Sequence, residues 1–292
     1  MNCSICPRKC PVDRSVQSGF CTADPVPRVA RIAKHFYEEP CISGTNGSGA
    51  VFFTGCNLSC LFCQNYQIHS GKTGVPVTCD ELAEAMLDLQ EQGAHNINLV
   101  TPTPHVMSIV QSLEKARDQG LHIPVVYNTN AYENTETIEM LNGLVDIYLP
   151  DLKYYSSEYS KRFSGCQDYF RFALPAIQKM HEQAGILQLD SDGIAVKGLM
   201  IRHLVLPGCV SDSRRIMDIL SESFPAETYL SVMRQYAPTE NVSSLPPLNR
   251  RVTDREYDSV VDHCLSLGFR NVYVQGSDSA DLSFTPEFTL SS

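Results

Sequence analysis

From residue 50 onward the sequence alternates short apolar runs with segments that repeat apolar residues at helical spacing. Residues 50–54 and 96–100 are typical of buried strands, whereas residues 79–92 carry Leu82, Met86 and Leu89 on one helical face. This alternation predicts parallel strands joined by right-handed helical crossovers. About six or seven such units predict an α/β fold built as a partial or complete (β/α) barrel of parallel strands.

The pattern also predicts how the chain is divided. Residues 1–49 lie outside the alternation and are expected to form a small, loop-rich, cysteine-rich N-terminal lobe, and residues 50–292 the barrel domain. A hairpin is expected at residues 187–196, turning at Asp192 and Gly193. The expected strands are 50–54, 96–100, 124–127, 146–149, 198–204, 229–233 and 271–274, and the expected helices are 79–92, 105–118, 135–144, 212–224 and 254–268.

Charge and composition limit the classes of partner. Lys and Arg number 23 against 33 Asp and Glu, and the formal net charge of −10 disfavours binding to nucleic acid. The sequence shows no signal peptide and no apolar run long enough for a membrane span, so a cytoplasmic protein without a membrane partner is expected. In that compartment the 12 cysteines indicate metal chemistry rather than disulfides.

Cys56, Cys60 and Cys63 form a C-x3-C-x2-C motif directly after the first expected strand. Three thiolates on one loop can bind three irons of a [4Fe–4S] cluster and leave the fourth iron open, as a catalytic metal requires. Gly55 allows a sharp turn, and Phe62 can shield a cluster from water. Zinc is the alternative, but zinc would need a fourth ligand nearby. The motif therefore predicts an iron–sulfur site where a barrel places its chemistry.

A second group of cysteines lies near the N-terminus. Cys3, Cys6, Cys10 and Cys21 provide four thiols among residues 3–21. Four thiolates complete a tetrahedral structural zinc site, and the same set could hold an auxiliary [4Fe–4S] cluster. Zinc is favoured because a short lobe with little core often needs a metal to fold, and zinc brings no redox chemistry.

The C-x3-C-x2-C motif resembles that of the radical S-adenosylmethionine (SAM) superfamily. Residues 35–65, 98–103, 148–155 and 202–208 extend this resemblance to one branch, proteins similar to the activating enzyme of pyruvate formate-lyase. The resemblance covers nearly the whole chain. It implies a [4Fe–4S] cluster whose open iron binds SAM, and reductive cleavage of SAM to methionine and a 5′-deoxyadenosyl radical that abstracts hydrogen.

The resemblance also implies a set of cofactor-binding residues. An acidic and a basic group at the end of a middle strand could orient the methionyl zwitterion. The loop at residues 128–131 corresponds to an Asp-Thr-Asn-Gly loop of the activating enzymes and has an asparagine in place of the aspartate at its first position. Residues 101–104 stand where many family members have Gly-Gly-Glu. Their hydroxyl groups could accept hydrogen bonds from an ammonium group, but would bind it more weakly than a carboxylate would. The implied set is Thr101, Thr103, Asn128, Thr129, Asp151, Lys153, Arg202, Gln235 and Tyr236.

Three functions are compatible with these features. The first is activation of a glycyl-radical enzyme, in which the radical takes a hydrogen atom from a glycine of a partner protein and a flavodoxin or ferredoxin supplies the electron. The second is radical modification of another protein residue or of a small metabolite. The third is a non-catalytic iron–sulfur protein, which would not need Asp151, Lys153 and Arg202.

Overall fold

Seven parallel strands form the centre of the molecule, a computed structural model that describes residues 3–69 and 73–276 together with Pro286 and Phe288. Three further strands flank them. The strands are β1 (Arg28–His35), β2 (Ser48–Phe53), β3 (Val75–Pro76), β4 (Ile97–Val100), β5 (Val125–Thr129), β6 (Ile147–Pro150), β7 (Gln188–Leu189), β8 (Ala195–Leu204), β9 (Tyr229–Met233) and β10 (Asn271–Val274).

Helices follow most of the parallel strands and connect each one to the next. They are α1 (Pro40–Ser43), α2 (Tyr66–His69), α3 (Cys79–Glu91), α4 (Val106–Asp118), α5 (Thr135–Glu139), α6 (Ser157–Ser164), α7 (Tyr169–Ala184), α8 (Val210–Ser223) and α9 (Asp254–Ser266). No helix in the described ranges is long and apolar enough to cross a membrane.

The sheet has the order β3–β1–β2–β4–β5–β6–β8–β9–β10, and β7 pairs only with β8. The pairs from β2 to β10 are parallel, whereas β1 is antiparallel to both β2 and β3. Within the described residues, β3 and β10 are the two ends of an open sheet. The expected α/β fold is therefore confirmed in its partial-barrel form.

Local sequence explains where the helices begin. Thr78 accepts a hydrogen bond from the backbone of Glu81, and the Glu81 side chain bonds back to Thr78, which forms a capping box at the start of α3. Leu82, Met86 and Leu89 then point into the core. Burial of each such side chain contributes about 1.5–3 kcal/mol, so the apolar face holds α3 against the sheet.

Most expected elements are found within two or three residues of their predicted ends, and the hairpin at 187–196 is present as β7 and the start of β8. Two local predictions were wrong. The helix expected at 135–144 ends at Glu139, because the following turn leads into Gly143 with φ +79°. β1 was not expected, since Arg31 and Lys34 interrupt its apolar residues, yet it belongs to the main sheet. The domain boundary at residue 49 stays a prediction.

Candidate active site

The loop after β2 carries Cys56, Cys60 and Cys63, and all three line one cavity at the carboxyl ends of the parallel strands. Gly55 begins this loop with φ +83°, and a Cβ atom there would lie 2.6 Å from the carbonyl oxygen of Cys21. Glycine is therefore required both by the backbone conformation and by the close approach of the N-terminal lobe.

Hydrogen-bond donors surround two of the three sulfur atoms. Asn130 Nδ2 lies 3.4 Å from Cys56 Sγ, the backbone nitrogen of Leu58 lies 3.5 Å from the same sulfur, and Ser164 Oγ donates to Cys60 Sγ at 3.0 Å. Such donors stabilise the negative charge on thiolate ligands and tune a bound cluster. The chemistry of this donor set fits an iron–sulfur cluster.

Burial also shapes the cysteine site. It raises the pKa of Cys56 and of Cys63 to about 12 and raises the pKa of Cys60 as well, and repulsion between the sulfur atoms adds to the first two shifts. The metal-free thiols are therefore protonated at neutral pH. Metal cations hold coordinating thiols deprotonated, so the positive charge of the iron in a bound cluster would stabilise the thiolates that burial disfavours.

The opposite wall of the cavity is a network of charges centred on Arg202. Its Nε donates to Asp151 Oδ1 at 2.7 Å, Nη1 to Glu38 Oε2 at 2.9 Å, and Nη2 to Asn128 Oδ1 at 2.6 Å. Lys153 Nζ donates to the other Asp151 oxygen at 2.6 Å. The ion-paired side chains are only 11–16% exposed, so these charges are nearly removed from water.

Mutual attraction keeps the network ionised. Burial alone would raise the pKa of Asp151, but the charges of Arg202 and Lys153 outweigh it and hold that pKa below its usual value. Burial would likewise lower the pKa of Lys153 and Arg202, and neighbouring carboxylates hold both above their usual values. Every nitrogen of the Arg202 guanidinium already has a partner. Arg202 therefore positions Asp151 and Glu38, and Lys153 keeps free donor capacity for a ligand.

Two acidic residues of the site were not predicted. Glu38 Oε1 accepts from Asn98 at 3.2 Å and from Asn128 at 3.1 Å, in addition to the bond from Arg202. Glu39 is buried and burial raises its pKa; among the described residues its Oε2 accepts no hydrogen bond and lies 3.9 Å from Arg202 Nη1. Both lie in the segment between β1 and α1. Their presence in the stretch that carries the family resemblance was the only signal.

The structure brings most of the expected cofactor residues together. Thr101, Asn128, Thr129 and Gln235 line the same cavity as Asp151, Lys153 and Arg202. Tyr236 does not: its hydroxyl donates to the carbonyl of Leu248 and its ring packs against Phe62, where it forms part of the shield behind the cluster loop. Thr103 also turns away from the cavity, into the core.

Thr103 belongs instead to a polar cluster around Glu133. The Oε1 atom of Glu133 accepts from Thr103 and Thr129, each at 2.6 Å, and from the Tyr127 hydroxyl at 3.2 Å. Glu133 is fully buried, and burial raises its pKa to about 7 despite these three donors. This carboxyl was not predicted from the sequence. It fixes the side chain of Thr129, which lines the cavity.

The backbone at the cavity is unusual at two positions. Thr101 has φ +60° and Ala131 has φ +63°, in the left-handed region that residues with a side chain rarely adopt. Ala131 is the counterpart of the glycine in the Asp-Thr-Asn-Gly loop. Non-glycine residues in such conformations persist where the surrounding structure fixes them, as it does at binding sites.

The N-terminal cysteines lie beside the cluster loop. The backbone nitrogen of Cys56 donates to the carbonyl oxygen of Cys21 at 3.2 Å, and Arg8 Nε donates to the carbonyl oxygen of Asn57 at 2.9 Å. Among residues 3–69 and 73–276, no three His, Cys, Asp or Glu side chains converge closely enough to hold a single metal ion. Both cysteine groups are included in that statement.

Comparison with known proteins adds the family. Residues 50–188 match the sequence profile of the Radical SAM superfamily. An uncharacterized protein of Methanocaldococcus jannaschii is 31% identical over 278 residues, which cover 89% of this chain and 73% of the relative. The chain belongs to the radical SAM superfamily. Membership implies a [4Fe–4S] cluster and SAM as cofactors, and makes the protein a radical SAM enzyme.

Solved structures share the fold. SuiB of Streptococcus suis, in its complex with precursor peptide SuiA, is 14% identical with a TM-score of 0.53, covering 76% of this chain and 46% of SuiB. The FeFe-hydrogenase maturase HydG from Carboxydothermus hydrogenoformans is 16% identical with a TM-score of 0.52, covering 79% of this chain and 54% of HydG. The chain thus spans about half the length of these structures, and at such identities they show the fold alone.

Proposed function

We propose that this radical SAM enzyme activates a partner protein by removing a hydrogen atom from one of its glycine residues. In this proposal Cys56, Cys60 and Cys63 bind the [4Fe–4S] cluster, and the cavity beside them holds SAM. The group supplies one-electron cleavage of SAM when it is bound. The protein's own residues orient the cofactor, exclude water and admit the target.

The observation that carries the proposal is the meeting of the three thiols with a buried acid–base pair in one cavity. Asp151 and Lys153 face the cluster loop from the end of β6, and the Lys153 charge acts on the Cys60 sulfur. A ligand between them would meet thiolate-bound iron on one side and a charged pair on the other. That arrangement suits the zwitterionic methionyl group of SAM.

We assign the carboxylate of SAM to Lys153, because Asp151 is the only partner of this ammonium group among the described residues. The Thr101 hydroxyl, which lines the cavity, is a suitable acceptor for the amino group. Gln235 lies just after β9 and lines the cavity; its Oε1 accepts from Gln275 Nε2 at 3.1 Å, and we propose that this side chain contacts the adenosine.

A protein substrate is supported by the way the cavity reaches the surface. Tyr37 lines the cavity and is 59% exposed, while Phe62 lines it and is 6% exposed, so one continuous space runs from the solvent to the cluster loop. Phe36, beside Tyr37, is also exposed. A flexible loop carrying a glycine could enter there. A flavodoxin or ferredoxin is the proposed electron donor, and the reducing cytoplasm the proposed location.

The test uses anaerobically reconstituted protein with dithionite and SAM, followed by chromatography for 5′-deoxyadenosine. Addition of a candidate glycyl-radical protein should then produce the doublet of a glycyl radical in electron paramagnetic resonance. The matched variant Cys60→Ala should lose both signals, and Cys79→Ala, a thiol in the first turn of α3, should keep both.

Each result assigns a different function. Release of 5′-deoxyadenosine without a glycyl radical in any candidate partner contradicts the activase proposal and points to another protein residue or a small metabolite. Complete absence of 5′-deoxyadenosine from protein that contains its cluster contradicts both enzymatic functions and leaves a non-catalytic iron–sulfur protein.

A further inference from the structure

Positive charge collects around the end of α6, although the formal net charge of the chain is −10. Four of the five cations there are exposed, and the fifth is half-buried. Within residues 3–69 and 73–276, none of the five forms an ion pair with a carboxylate, whereas many cations elsewhere in the chain do. We call this set the basic face, and its members are Arg8, Lys9, Lys161, Arg162 and Arg171.

A hydrogen bond and two aromatic rings connect the members of the basic face. Arg8 Nη1 donates to the carbonyl oxygen of Gly165, which follows α6, at 3.0 Å, so Arg8 adjoins the two cations in the last turn of that helix. The Arg8 guanidinium lies 5.5 Å from the centre of the Tyr132 ring. Tyr132 packs edge-to-face against Phe172 at 5.8 Å, and the Arg171 guanidinium lies 5.6 Å from the Phe172 ring. The basic face is therefore one continuous surface.

The basic face adjoins the cluster loop. The hydroxyl of Ser164, the last residue of α6, donates to Cys60 Sγ at 3.0 Å, and Arg8 Nε donates to the carbonyl oxygen of Asn57 at 2.9 Å. A helix rises by about 1.5 Å per residue, so the backbone of Arg162 lies only about 3 Å along the helix axis from that of Ser164. One hydrogen bond therefore joins the helix that carries the cations to a sulfur atom of the cluster site.

Helix dipoles do not explain the whole of the basic face. The two cations of α6 lie in its last turn, where the dipole attracts positive charge. Arg171, however, lies in the first turn of α7, where the dipole repels positive charge. Acidic residues are few on these elements: Glu158 begins α6, and Asp168, just before α7, accepts a hydrogen bond from a tyrosine hydroxyl. The surplus of positive charge therefore calls for an acidic partner outside the chain.

Exposed apolar side chains border the cations. Phe20 is 43% exposed and Val16 is 81% exposed, and the Arg8 guanidinium lies 3.7 Å from the centre of the Phe20 ring. Arginine and aromatic residues are enriched where proteins bind one another. An apolar patch beside cations suits an acidic carrier whose redox group presents an aromatic edge at its own surface, as the flavin of a flavodoxin does.

We propose that the basic face is the docking site of an acidic, flavodoxin-type electron carrier, which passes its electron to the cluster site across the contact between Ser164 and Cys60. The inference rests on the proposed cleavage of SAM, because this reaction requires one electron from outside the chain. The reduced flavin of the carrier loses one electron for each SAM molecule. That electron enters the sulfonium carbon–sulfur bond, which breaks to give methionine and the 5′-deoxyadenosyl radical.

The first experiment titrates the full-length, reconstituted protein with oxidised flavodoxin in a calorimeter. The variant Lys161→Glu/Arg171→Glu reverses two exposed charges whose side chains donate no hydrogen bond within the described residues. Its Kd should rise about tenfold or more, and the affinity of the wild type should fall between about 0.05 and 0.3 M salt. The matched control Lys34→Glu/Lys197→Glu makes the same change in net charge at the amino ends of the strands and should keep the wild-type Kd.

The second experiment compares electron donors. With reduced flavodoxin below saturation, Lys161→Glu/Arg171→Glu should form 5′-deoxyadenosine about tenfold more slowly than the wild type, and with dithionite at the wild-type rate. An unchanged Kd, an equal loss in the control pair or an equal loss with dithionite overturns the inference. A glycyl-radical yield that falls with dithionite also overturns it, because the face would then bind the target protein. Cleavage of SAM by the wild type with dithionite tests the proposed function separately.

Discussion

Replacement of Thr101 by glycine should stabilise the protein although Thr101 lies in the candidate active site. Thr101 has φ +60°, and for a β-branched residue this conformation is a genuine outlier. Its hydroxyl has no hydrogen-bond partner within the described part of the chain, so removal of the side chain breaks no internal bond. The substitution therefore relieves backbone strain at little cost in contacts.

The magnitude follows from three terms. A non-glycine residue in the left-handed region costs about 1–3 kcal/mol. The extra conformational freedom of glycine in the unfolded chain reduces the gain in stability by about 0.4–1 kcal/mol, and loss of one half-buried methyl group reduces it by about 0.4 kcal/mol. The expected net gain for Thr101→Gly is about 1 kcal/mol, or about 2 °C in the unfolding temperature of a chain of this size.

Urea unfolding of the anaerobically reconstituted protein, followed by circular dichroism, measures this gain. The reverse change provides a matched control at Gly143, which has φ +79° and open space around the position of a Cβ atom. Gly143→Thr should lose about 1–2 kcal/mol. Destabilisation by Thr101→Gly would refute the strain argument. If the hydroxyl also accepts a hydrogen bond from the amino group of SAM, the same variant will bind SAM more weakly although it unfolds at a higher urea concentration.

Three further outcomes are expected. Lys153→Met should weaken SAM binding about 10- to 100-fold in isothermal titration without loss of iron, whereas Lys161→Met, at an exposed position of α6, should change neither quantity. Arg202→Met should destabilise the fold by about 3–5 kcal/mol, because it leaves Glu38 without its counter-ion and Asp151 with Lys153 alone, and Glu38→Gln in the same chain should recover part of this loss in urea unfolding. The pKa of Glu133 is about 7 in the native protein and 4.5 in the unfolded chain, so the native carboxyl binds its proton more tightly. This difference stabilises the folded protein fully below pH 4.5, and the stabilisation is lost by about pH 7. Glu133→Gln should abolish this fall of about 3 kcal/mol in denaturation measured between about pH 5 and pH 8, and an unchanged profile would place the proton elsewhere.

The sequence predicts the parallel strands well because each is a short apolar run bounded by turns, and this pattern depends on neighbouring residues alone. It fails at β1, where basic residues interrupt the run and pairing with β2 supplies the stability instead. Local motifs at strand ends pointed to Cys56, Cys60 and Cys63 and to the pair Asp151 and Lys153.

Other parts of the site depend on the folded chain. Glu38 meets Arg202 across a sequence separation of 164 residues, which no local pattern records. Gln235 and Tyr236 show a second limit: successive residues of an extended chain point to opposite sides, so one lines the cavity and the other packs into the core. Both residues were predicted from their position at the end of a strand, and only the direction of the backbone separates them.

The ion pair between Glu38 and Arg202 has a consequence for the order of folding during synthesis. Glu38 emerges from the ribosome long before Arg202, and until β8 pairs with β6 the carboxylates of Glu38 and Asp151 lack their shared cation. A nascent chain therefore carries a complete cysteine motif while Glu38 has no counter-ion and Asp151 has only Lys153. We therefore expect the cluster and SAM to bind stably only after the C-terminal half has folded, because Arg202 on β8 then balances the carboxylates of the cavity.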